Sequence, residues 1–305
     1  MKKVGFVGLG RMGQPMALNV ARKGHEVAVF DINPAAMQPF TQFNHCRQAQ
    51  GASDAAGDAG IAITVLPGPP EVEKVVMAPG GMLDSMKPGS LFMDLSTVLP
   101  ETTDRLAAAA AERGIAFVDA PIGRLAHHAD IGESLFMVGA SVEDLDRVRP
   151  VLEAMGTTIL HCGGPGSGTR TKLVNNFLAV SSAALNAECL ALAQSFGLDL
   201  ERTLSVIHGT SATNGQLKLN FANKVFLGDT EPGFAIDLAH KDLSLIMTAA
   251  AQGRIPLPMI AAARETMSLA RAQGWGRKDF SALADFWCDL ATVPRPRLQR
   301  TDGAD

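Results

Sequence analysis

The pattern of apolar and polar positions differs between the two halves of this chain. The first half shows both strand and helix patterns, and the second half shows helix patterns alone. In the first half, short runs of β-branched and other apolar residues predict strands, and apolar positions at helical spacing predict helices between them. The predicted strands are Val4–Gly8, Glu26–Phe30, Ile61–Leu66, Ser90–Asp94, Ala116–Asp119, Leu135–Val138 and Thr158–Leu160, and the predicted helices include Met12–Lys23, Pro100–Arg113 and Val142–Met155. This alternation is typical of a doubly wound parallel sheet, so we expect an α/β domain over residues 1–165.

The second half shows only helical spacing. After the turn-rich stretch Cys162–Gly168, a pattern without Pro or Gly runs from Thr169 to Phe196, roughly 40 Å at about 1.5 Å per residue. Further helices are predicted over Leu200–His208, Leu217–Phe226, Ile236–Gln252, Pro258–Gln273 and Phe280–Leu290. We expect an all-α domain over residues 166–296, joined to the first by the long inter-domain helix. Residues 297–305 form a polar tail, and the chain from Pro294 onward is expected to fray.

Composition argues against several classes of function, including binding of nucleic acids, membranes and metals. The chain has 305 residues and a net charge of −4, which gives no broad basic field for nucleic acid or a membrane surface. The apolar run at the N terminus is broken by glycines and Arg11 before it could form a signal sequence or a membrane span. The four cysteines are scattered, which favours a reducing, cytoplasmic setting. His127 and His128 have no further ligand at metal-binding spacing, so no metal is predicted.

The first predicted strand is followed directly by Gly8-Leu9-Gly10-Arg11-Met12-Gly13, which opens the first helix. In this setting glycines allow a tight turn and let backbone N–H groups approach a pyrophosphate at the positive helix N terminus. The pattern predicts a Rossmann-type dinucleotide site. Its candidate cofactor-binding residues are Gly8, Gly10, Arg11, Met12 and Gly13. A plain glycine turn remains the alternative.

Asp31 reinforces the dinucleotide prediction. It ends the second predicted strand, close to the distance expected of the acid that accepts hydrogen bonds from the adenosine ribose. Ile32 and Asn33 follow it where an arginine would suit a 2′-phosphate, so we expect NAD rather than NADP. The alternative is that Asp31 caps a helix beginning at Pro34.

Two further strand ends fall where a doubly wound sheet presents residues to its ligand. Leu66 and Pro67 follow the third predicted strand, and Thr97 follows the fourth. We include all three as candidate cofactor residues, with Thr97 placed to reach the nicotinamide ribose. A Ser-Thr pair after a strand is also an ordinary helix-start signal.

On the long helix, Lys172, Asn175, Asn176 and Ala179 share one face through their spacing. A partly desolvated lysine there, with its pKa lowered toward neutrality, could pass a proton to the oxygen of a carbonyl that receives hydride. Asn176 could orient the lysine or the reacting oxygen. Spacing alone also allows an exposed lysine followed by two asparagines without a catalytic role.

Several motifs, in order and over nearly the whole chain, resemble those of the β-hydroxyacid dehydrogenases. They are Gly8-x-Gly-x-Met-Gly13 followed by Pro15-Met-Ala-x-Asn19, then Asp119-Ala-Pro121, Gly168-x-x-x-Lys172-x-x-Asn175-Asn176 and Asp237-Leu-x-x-Lys241-Asp242. The resemblance implies that Lys172 is the general acid/base and that Lys241 approaches the cofactor. It also implies a Rossmann domain followed by a helical domain, in a homodimer or homotetramer. The chain has no tyrosine, which independently excludes a catalytic Tyr-x-x-x-Lys pair.

Arg124 departs from the family pattern. Most relatives that act on simple carboxylates have Ser-Gly-Gly after Asp-Ala-Pro, whereas this chain has Ile122-Gly123-Arg124. Arginine offers a rigid fork of donors and a permanent charge, which suit an oxyanion. The alternative is a rim ion pair between Arg124 and Asp130 or Glu133.

Other segments are similar to family members that reduce a sulfonated aldehyde. They are Gly123-Arg124, Gly163-Gly-Pro-Gly166, His208-Gly-Thr210, Asn223-Lys224-Val and Ile236–Leu243. The similarity implies NADH-dependent reduction of 3-sulfolactaldehyde to 2,3-dihydroxypropane-1-sulfonate. The implied substrate-binding residues are Gly123, Arg124, Asn175, Asn176, Leu178 and Ala179. The loop Leu125–His128 is bulkier than in that subgroup.

Two kinds of alternative function stay open. One is a related enzyme for a carboxylate, such as a succinic semialdehyde reductase/4-hydroxybutyrate dehydrogenase or a 3-hydroxyisobutyrate dehydrogenase. The other is a ligand-binding protein that keeps the fold without the chemistry.

Overall fold

Nine strands form one sheet in the first half of the chain, in a computed structural model that describes residues 1–298. The strands are β1 (Lys3–Val7), β2 (Glu26–Phe30), β3 (Cys46–Gln48), β4 (Ile61–Thr64), β5 (Leu91–Asp94), β6 (Ala116–Asp119), β7 (Ile122–Gly123), β8 (Ser134–Gly139) and β9 (Gly156–Gly163). Their spatial order is β3-β2-β1-β4-β5-β6-β8-β7, with β9 paired to β8. The chain divides into two compact units, Met1–Lys172 and Leu173–Asp305, and the whole sheet lies in the first.

Helices cover both faces of the sheet. They are α1 (Gly13–Arg22), α2 (Ala52–Gly57), α3 (Pro69–Val76), α4 (Met82–Ser85), α5 (Pro100–Ala111), α6 (Ala126–Asp130) and α7 (Val142–Met155), with a 3-10 helix at Pro34–Gln42. Because successive strand residues face opposite sides, Phe92 packs with α3 and α5, whereas its neighbour Met93 packs with α1 and α7. This arrangement confirms the predicted doubly wound α/β class.

The sheet differs from the expected parallel one at a single edge. Strands β1 to β6 pair in parallel, but β8 runs antiparallel to both β6 and β7. The connection from β6 to β8 contains only β7 and the five-residue helix α6. Such a short segment turns the chain back instead of carrying it across the sheet.

The second unit is helical in the residues described. It contains most of α8 (Ser167–Ser195), then α9 (Leu200–His208), α10 (Ile236–Gln252), α11 (Pro258–Ala272) and α12 (Leu283–Ala291), with a 3-10 turn at Phe280–Ala282. The predicted α-helix Leu217–Phe226 is wrong, because the chain forms a π-helix at Gln216–Phe221 and a 3-10 turn at Val225–Leu227. Its buried residues Leu217, Phe221 and Val225 are four positions apart, the spacing of one α-helical face, so the apolar pattern does not reveal the π-helix.

Helix α8 is the predicted long helix. Among residues 1–298 it alone is long and apolar enough to cross a membrane, and 44% of its most apolar window is buried within the structure. Core helices of water-soluble proteins pass the same test, so a single helix of this kind is weak evidence for a membrane span.

The expected fraying from Pro294 is wrong for the residues that the structure describes. Arg297 forms a bidentate ion pair with the fully buried Asp285, at 2.7 and 2.6 Å. Arg295 likewise pairs with Asp289, and the backbone N–H of Leu298 donates to the Phe226 carbonyl. Buried and bidentate pairs hold a segment that its prolines alone would leave loose. The rest of the predicted tail, 299–305, lies outside the described residues.

Candidate active site

The glycine loop between β1 and α1 is shaped for close backbone approach. Gly8 has a φ of 93°, and a Cβ there would lie 2.3 Å from the Val65 carbonyl oxygen. A Cβ on Gly13 would lie 2.0 Å from the Gly8 carbonyl oxygen. Gly10 differs, because a Cβ there would meet no described atom within 4 Å. The loop therefore leaves room at Gly10 for a pyrophosphate to reach the N terminus of α1, and it fits the predicted dinucleotide.

Asp31 braces this loop. Its Oδ2 accepts a hydrogen bond from the Leu9 N–H at 2.6 Å, and its Oδ1 accepts one from the Asn33 N–H at 2.8 Å. Asn33, not Asp31, caps the following 3-10 helix by accepting from the Ala35 N–H, so the capping alternative for Asp31 is wrong. Each carboxylate oxygen keeps acceptor capacity for a ribose hydroxyl.

The side chains of Arg11 and Met12 both have partners within the protein. Arg11 makes an exposed bidentate pair with Asp130 of α6, at 2.7 and 2.8 Å, and this pair lowers the pKa of the Asp130 carboxyl. Met12 packs against the hydrophobic core. A surface depression of about 710 Å³ borders the loop, lined in part by Gly10, Arg11 and Asn33. The predicted cofactor roles of Arg11 and Met12 stay predictions.

The predicted strand-end residues lie on neighbouring loops. Leu66 and the exposed Pro67 follow β4, and the half-buried Thr97 follows β5. The backbone N–H of Leu66 donates to Ser96 Oγ at 2.9 Å, which ties the two loops together. Ser96 is a residue that the sequence reasoning missed.

The four residues predicted to share a face of α8 differ in exposure. Lys172 and Ala179 are half-buried, Asn175 is exposed and Asn176 is buried. Leu178, predicted as a substrate residue, has 64% of its surface exposed. Asn176 therefore has the buried surroundings expected of a positioning group.

Asn176 belongs to a chain of polar contacts between α8 and α10. Its Nδ2 donates to Oδ2 of the buried Asp242 at 2.6 Å, and its Oδ1 accepts from Asn175 Nδ2 at 3.2 Å. The other oxygen of Asp242, Oδ1, lies 3.0 Å from Lys241 Nζ. The structure thus connects the predicted residues Asn176 and Lys241 through Asp242, a carboxylate with no role assigned from the sequence.

Arg124 is anchored at the edge of the sheet. Its Nη1 donates to the Glu133 backbone oxygen at 2.6 Å and to Thr157 Oγ1 at 3.2 Å, and its Nη2 donates to Thr158 Oγ1 at 3.0 Å. The predicted alternative of an ion pair to the Glu133 carboxylate or to Asp130 is wrong, since Asp130 pairs with Arg11. Its φ of 70° turns the chain sharply there.

Gly123 lies next to Arg124 in β7, paired with Leu135 of β8. A Cβ on Gly123 would lie 3.0 Å from the Leu135 side chain. Strand packing thus accounts for this glycine, and its predicted contact with substrate stays a prediction.

The two neighbouring histidines stack on each other. The ring centroids of His127 and His128 are 3.8 Å apart, and burial, followed by the charge of His127, lowers the pKa of His128. Within residues 1–298, no cluster of three or more His, Cys, Asp or Glu side chains could hold a metal ion.

The doubly wound fold and the geometry of the glycine loop are those of a dinucleotide-binding protein, and comparison with known families agrees. A family model described as the NAD-binding domain of 6-phosphogluconate dehydrogenase matches residues 3–164, and one described as the NAD-binding domain of NADP-dependent 3-hydroxyisobutyrate dehydrogenase matches residues 166–287. The chain belongs to the β-hydroxyacid dehydrogenases of the 3-hydroxyisobutyrate dehydrogenase type. It is an NAD-dependent oxidoreductase acting on CH–OH groups, which confirms the predicted cofactor and removes the non-catalytic alternative.

Individual relatives cover almost the whole chain. It is 38% identical over 285 residues to 3-sulfolactaldehyde reductase of Escherichia coli (strain K12), covering 93% of this chain and 95% of that protein. It is 37% identical over 291 residues to 2-(hydroxymethyl)glutarate dehydrogenase of Eubacterium barkeri, covering 95% and 96%. The solved structure of Mycobacterium tuberculosis 3-hydroxyisobutyrate dehydrogenase with L-serine matches with a TM-score of 0.85 at 31% identity, covering 94% and 99%. These relatives are named for different substrates, so they support hydroxyacid dehydrogenase activity as a class.

Three residues to which the sequence assigned no role of their own share one signal. Asp94, Ser96 and Asp119 lie at or just after the ends of buried strands, and all three are themselves buried. A carboxylate at the end of an apolar strand needs hydrogen-bond partners nearby, and that requirement could have marked Asp94 and Asp119 as organising residues.

Proposed function

We propose that this protein uses NADH to reduce a small anionic aldehyde to the corresponding hydroxy acid. The proposed substrate is 3-sulfolactaldehyde, and the product is 2,3-dihydroxypropane-1-sulfonate. The observation that carries this proposal is the anchored guanidinium of Arg124, where relatives acting on simple carboxylates have a small residue. The 38% identity to a 3-sulfolactaldehyde reductase supports it.

Arg124 is prepared to bind an oxyanion. Its hydrogen bonds to Glu133, Thr157 and Thr158 use three of the five guanidinium N–H donors. Among the contacts described, Nε–H and one N–H of Nη2 are left to donate to a ligand. Two donors with a permanent charge suit the oxygens of a sulfonate or carboxylate group.

The reduction needs a hydride and a proton, and the cofactor, when bound, supplies the hydride to the carbonyl carbon. Lys172 donates a proton from its ammonium group to the carbonyl oxygen, so the C=O bond becomes C–OH. Asn176, held by Asp242, orients the reacting oxygen through its amide. We retain Gly123, Asn175, Leu178 and Ala179 as proposed substrate-binding residues and Lys241 as a proposed cofactor contact.

The proposed preference for NADH over NADPH depends on Asp31. Its carboxylate would repel a 2′-phosphate, and neither Ile32 nor Asn33 carries a positive charge to compensate. We propose that residues 1–165 form the NAD-binding domain and that residues 166–296 form the domain for substrate binding and oligomerisation, which also contributes the proposed cofactor contact Lys241. Steady-state rates with the two coenzymes test the preference, and equal kcat/KM values for NADH and NADPH would contradict it.

Replacing Lys172 with alanine tests the proton-transfer role. We expect kcat to fall by about 10²- to 10⁴-fold, as for a lost general acid, while the Kd for NAD⁺ stays within about twofold. Lys87→Ala is the control, because Lys87 is an exposed lysine paired with Asp58. Full activity of Lys172→Ala would remove the assignment.

A substrate comparison separates the sulfonate from the carboxylate alternatives. kcat/KM should be higher for 3-sulfolactaldehyde than for succinic semialdehyde or for the oxidation product of 3-hydroxyisobutyrate. Faster turnover of a carboxylate would overturn the sulfonate assignment. Arg124→Ala should raise KM for an anionic aldehyde by at least about tenfold, the loss of one charge-assisted contact, and leave an uncharged aldehyde little changed. The control is Arg113→Ala, which removes an arginine paired with Asp84 instead.

We also propose that the protein forms a homodimer or homotetramer through α8. An apolar stripe of Val174, Leu178, Leu185 and Leu192 runs along this helix, with 55–66% of each residue exposed. Its intervals of four, seven and seven residues are those of a helix that packs against another helix. Exposed apolar patches of this kind mark interfaces, and a second copy offers the same stripe across a twofold axis.

Replacement of Leu185 by glutamate tests the interface. We expect the mass measured by light scattering to fall to that of the monomer, while Val142→Glu, at an equally exposed position on α7, leaves it unchanged. An unaltered oligomer in Leu185→Glu would contradict the proposal. All four cysteines are unpaired, which supports the proposed cytoplasmic location.

A further inference from the structure

Two buried carboxylates lie side by side at the ends of neighbouring strands. Asp94 ends β5 and Asp119 ends β6, and the two residues are paired in the parallel register. Only 2% of Asp94 and 1% of Asp119 is exposed, and burial raises the pKa of both carboxyl groups. Burying a carboxylate costs free energy unless hydrogen bonds satisfy it, so the groups that donate to each one show what it holds in place.

Asp119 holds the start of α8. Its Oδ1 accepts from the Gly166 N–H and its Oδ2 from the Thr169 N–H, both at 2.6 Å. Because α8 begins at Ser167, these N–H groups are among those that no carbonyl within the helix can satisfy. Gly166 has no side chain to act as a cap, and the carboxylate of a distant strand does so instead.

Close packing fixes the depth at which the helix starts. A Cβ on Gly168 would lie 2.2 Å from the Met137 carbonyl oxygen, and a Cβ on Gly139 would lie 2.3 Å from Asp119 Oδ1. The first turn of α8 therefore lies directly against the backbone of β8. A hydrogen bond of 3.0 Å from the Thr103 hydroxyl to the Thr169 hydroxyl ties the same turn to α5.

Asp94 accepts hydrogen bonds from the ends of β4 and β5 instead of from α8. Its Oδ1 accepts from the Thr64 hydroxyl at 2.7 Å and from the Ser96 N–H at 3.0 Å. Ser96 Oγ in turn accepts from the Leu66 N–H. These contacts shape the loops after β4 and β5, where the cofactor residues Leu66, Pro67 and Thr97 are proposed.

We infer that Asp119 is a positioning residue for Lys172 and that Asp94 is a positioning residue for the cofactor loops. Lys172 follows Thr169 by three residues in the same helix, so the anchored first turn determines where its backbone lies. A displacement of about 1 Å at a reacting group can cost about 100-fold in rate. The inference rests on the proposed proton-transfer role of Lys172.

The substitutions Asp119→Asn and Asp94→Ala separate the two roles. Asp119→Asn keeps the side-chain size but replaces one acceptor oxygen with an NH₂ group, which leaves the N–H of Gly166 or of Thr169 without its partner. Alanine is used at position 94 because Thr64 and Ser96 both donate to Oδ1, an acceptor that asparagine retains. In Asp119→Asn we expect kcat to fall by about 10- to 100-fold, with the Kd for NAD⁺ within about twofold of wild type. In Asp94→Ala we expect the Kd for NAD⁺ to rise by more than kcat falls. Hydrogen exchange at Gly166 and Thr169 should accelerate only in Asp119→Asn.

A milder variant keeps the test decisive if Asp119→Asn does not fold. Thr103→Val removes the second tether of the first turn without exposing a buried charge, and kcat should fall while the Kd for NAD⁺ is unchanged. The inference is overturned if both aspartate variants change the same kinetic parameter. It is also overturned if hydrogen exchange at the first turn accelerates and kcat does not change.

The same variants distinguish an incorrect role for Lys172 from an incorrect role for Asp119. If Lys172→Ala keeps full activity while Asp119→Asn accelerates exchange at Gly166 and Thr169, the anchor exists and the role of Lys172 is wrong. If Lys172→Ala is inactive and Asp119→Asn behaves as wild type in all three measurements, the anchor is wrong and the role of Lys172 stands.

Discussion

Replacement of Gly10 by alanine should separate cofactor binding from folding. The added methyl group meets no described atom within 4 Å, and Gly10 is not among the glycines with positive φ. The folded protein should therefore accept it, and the free energy of unfolding should change by less than about 1 kcal/mol, in the stabilising direction that a less flexible unfolded chain gives.

The same methyl group lies where a pyrophosphate would approach the helix N terminus. Losing one hydrogen bond from a backbone N–H to a charged phosphate costs about 1.5–3 kcal/mol. Since about 1.4 kcal/mol corresponds to a factor of ten, the Kd for NAD⁺ should rise roughly 10- to 100-fold. Isothermal titration calorimetry measures the Kd, and urea unfolding of the same preparation measures stability.

Two further glycines make the comparison specific. Gly51→Ala is the control for NAD⁺ binding, because Gly51 also faces open space in the same unit, and it should leave the Kd for NAD⁺ unchanged. Gly51 is the N-cap of α2, so a small loss of stability is expected there. Gly13→Ala would place a Cβ 2.0 Å from the Gly8 carbonyl oxygen and should lower both stability and affinity. Unchanged NAD⁺ binding in Gly10→Ala, with stability intact, would refute the placement of the pyrophosphate.

Three other predictions concern stability and reactivity. Arg297→Ala leaves the buried carboxylate of Asp285 with only a longer ion pair, 3.8 Å from Arg295 Nη1, and should lower the free energy of unfolding by about 3 kcal/mol in urea titrations; an effect below about 1 kcal/mol would show that the pair with Arg297 is dispensable. Burial lowers the pKa of His25 below its usual 6.5, so the folded state binds fewer protons than the unfolded chain. The free energy of unfolding should then fall as the pH is lowered from 7.5 to 5.5, and it should fall less in His25→Gln than in the wild type. An equal loss in the two proteins would contradict this prediction. Burial raises the pKa of Cys288 to about 11, so peptide mapping at pH 8 should find this thiol unalkylated in the native protein and alkylated in urea.

The elements that could be predicted from the sequence have long periodic patterns or clear stop signals. The predicted bounds of Glu26–Phe30, Ala116–Asp119, Val142–Met155, Leu200–His208 and Ile236–Gln252 are those observed. Strand β3 has three residues and β7 has two, which is too short for a period of two to be recognised. The π-helix could not be predicted for a different reason, because hydrophobic spacing does not distinguish it from an interrupted α-helix.

The candidate site could be predicted only as far as local sequence determines it. The glycine loop is such a case, since a strand, a turn and a helix follow one another within a few residues. The contact between Asn176 and Asp242 joins residues 66 positions apart, and that between Arg11 and Asp130 joins residues 119 apart. Such pairs depend on how the helices and strands pack against one another, and hydrophobic periodicity in the sequence does not predict that packing.

Different segments of the fold hold the proposed proton donor and the proposed anion-binding arginine. The proposed proton donor Lys172 depends on the first turn of α8, whereas Arg124 depends on the hydroxyls of Thr157 and Thr158 in β9. Because different segments hold the two groups, a change at Arg124 can alter which anion binds without moving the lysine. If the proposed function is correct, Thr157 and Thr158 of β9 influence substrate preference by holding Arg124, without touching the substrate themselves.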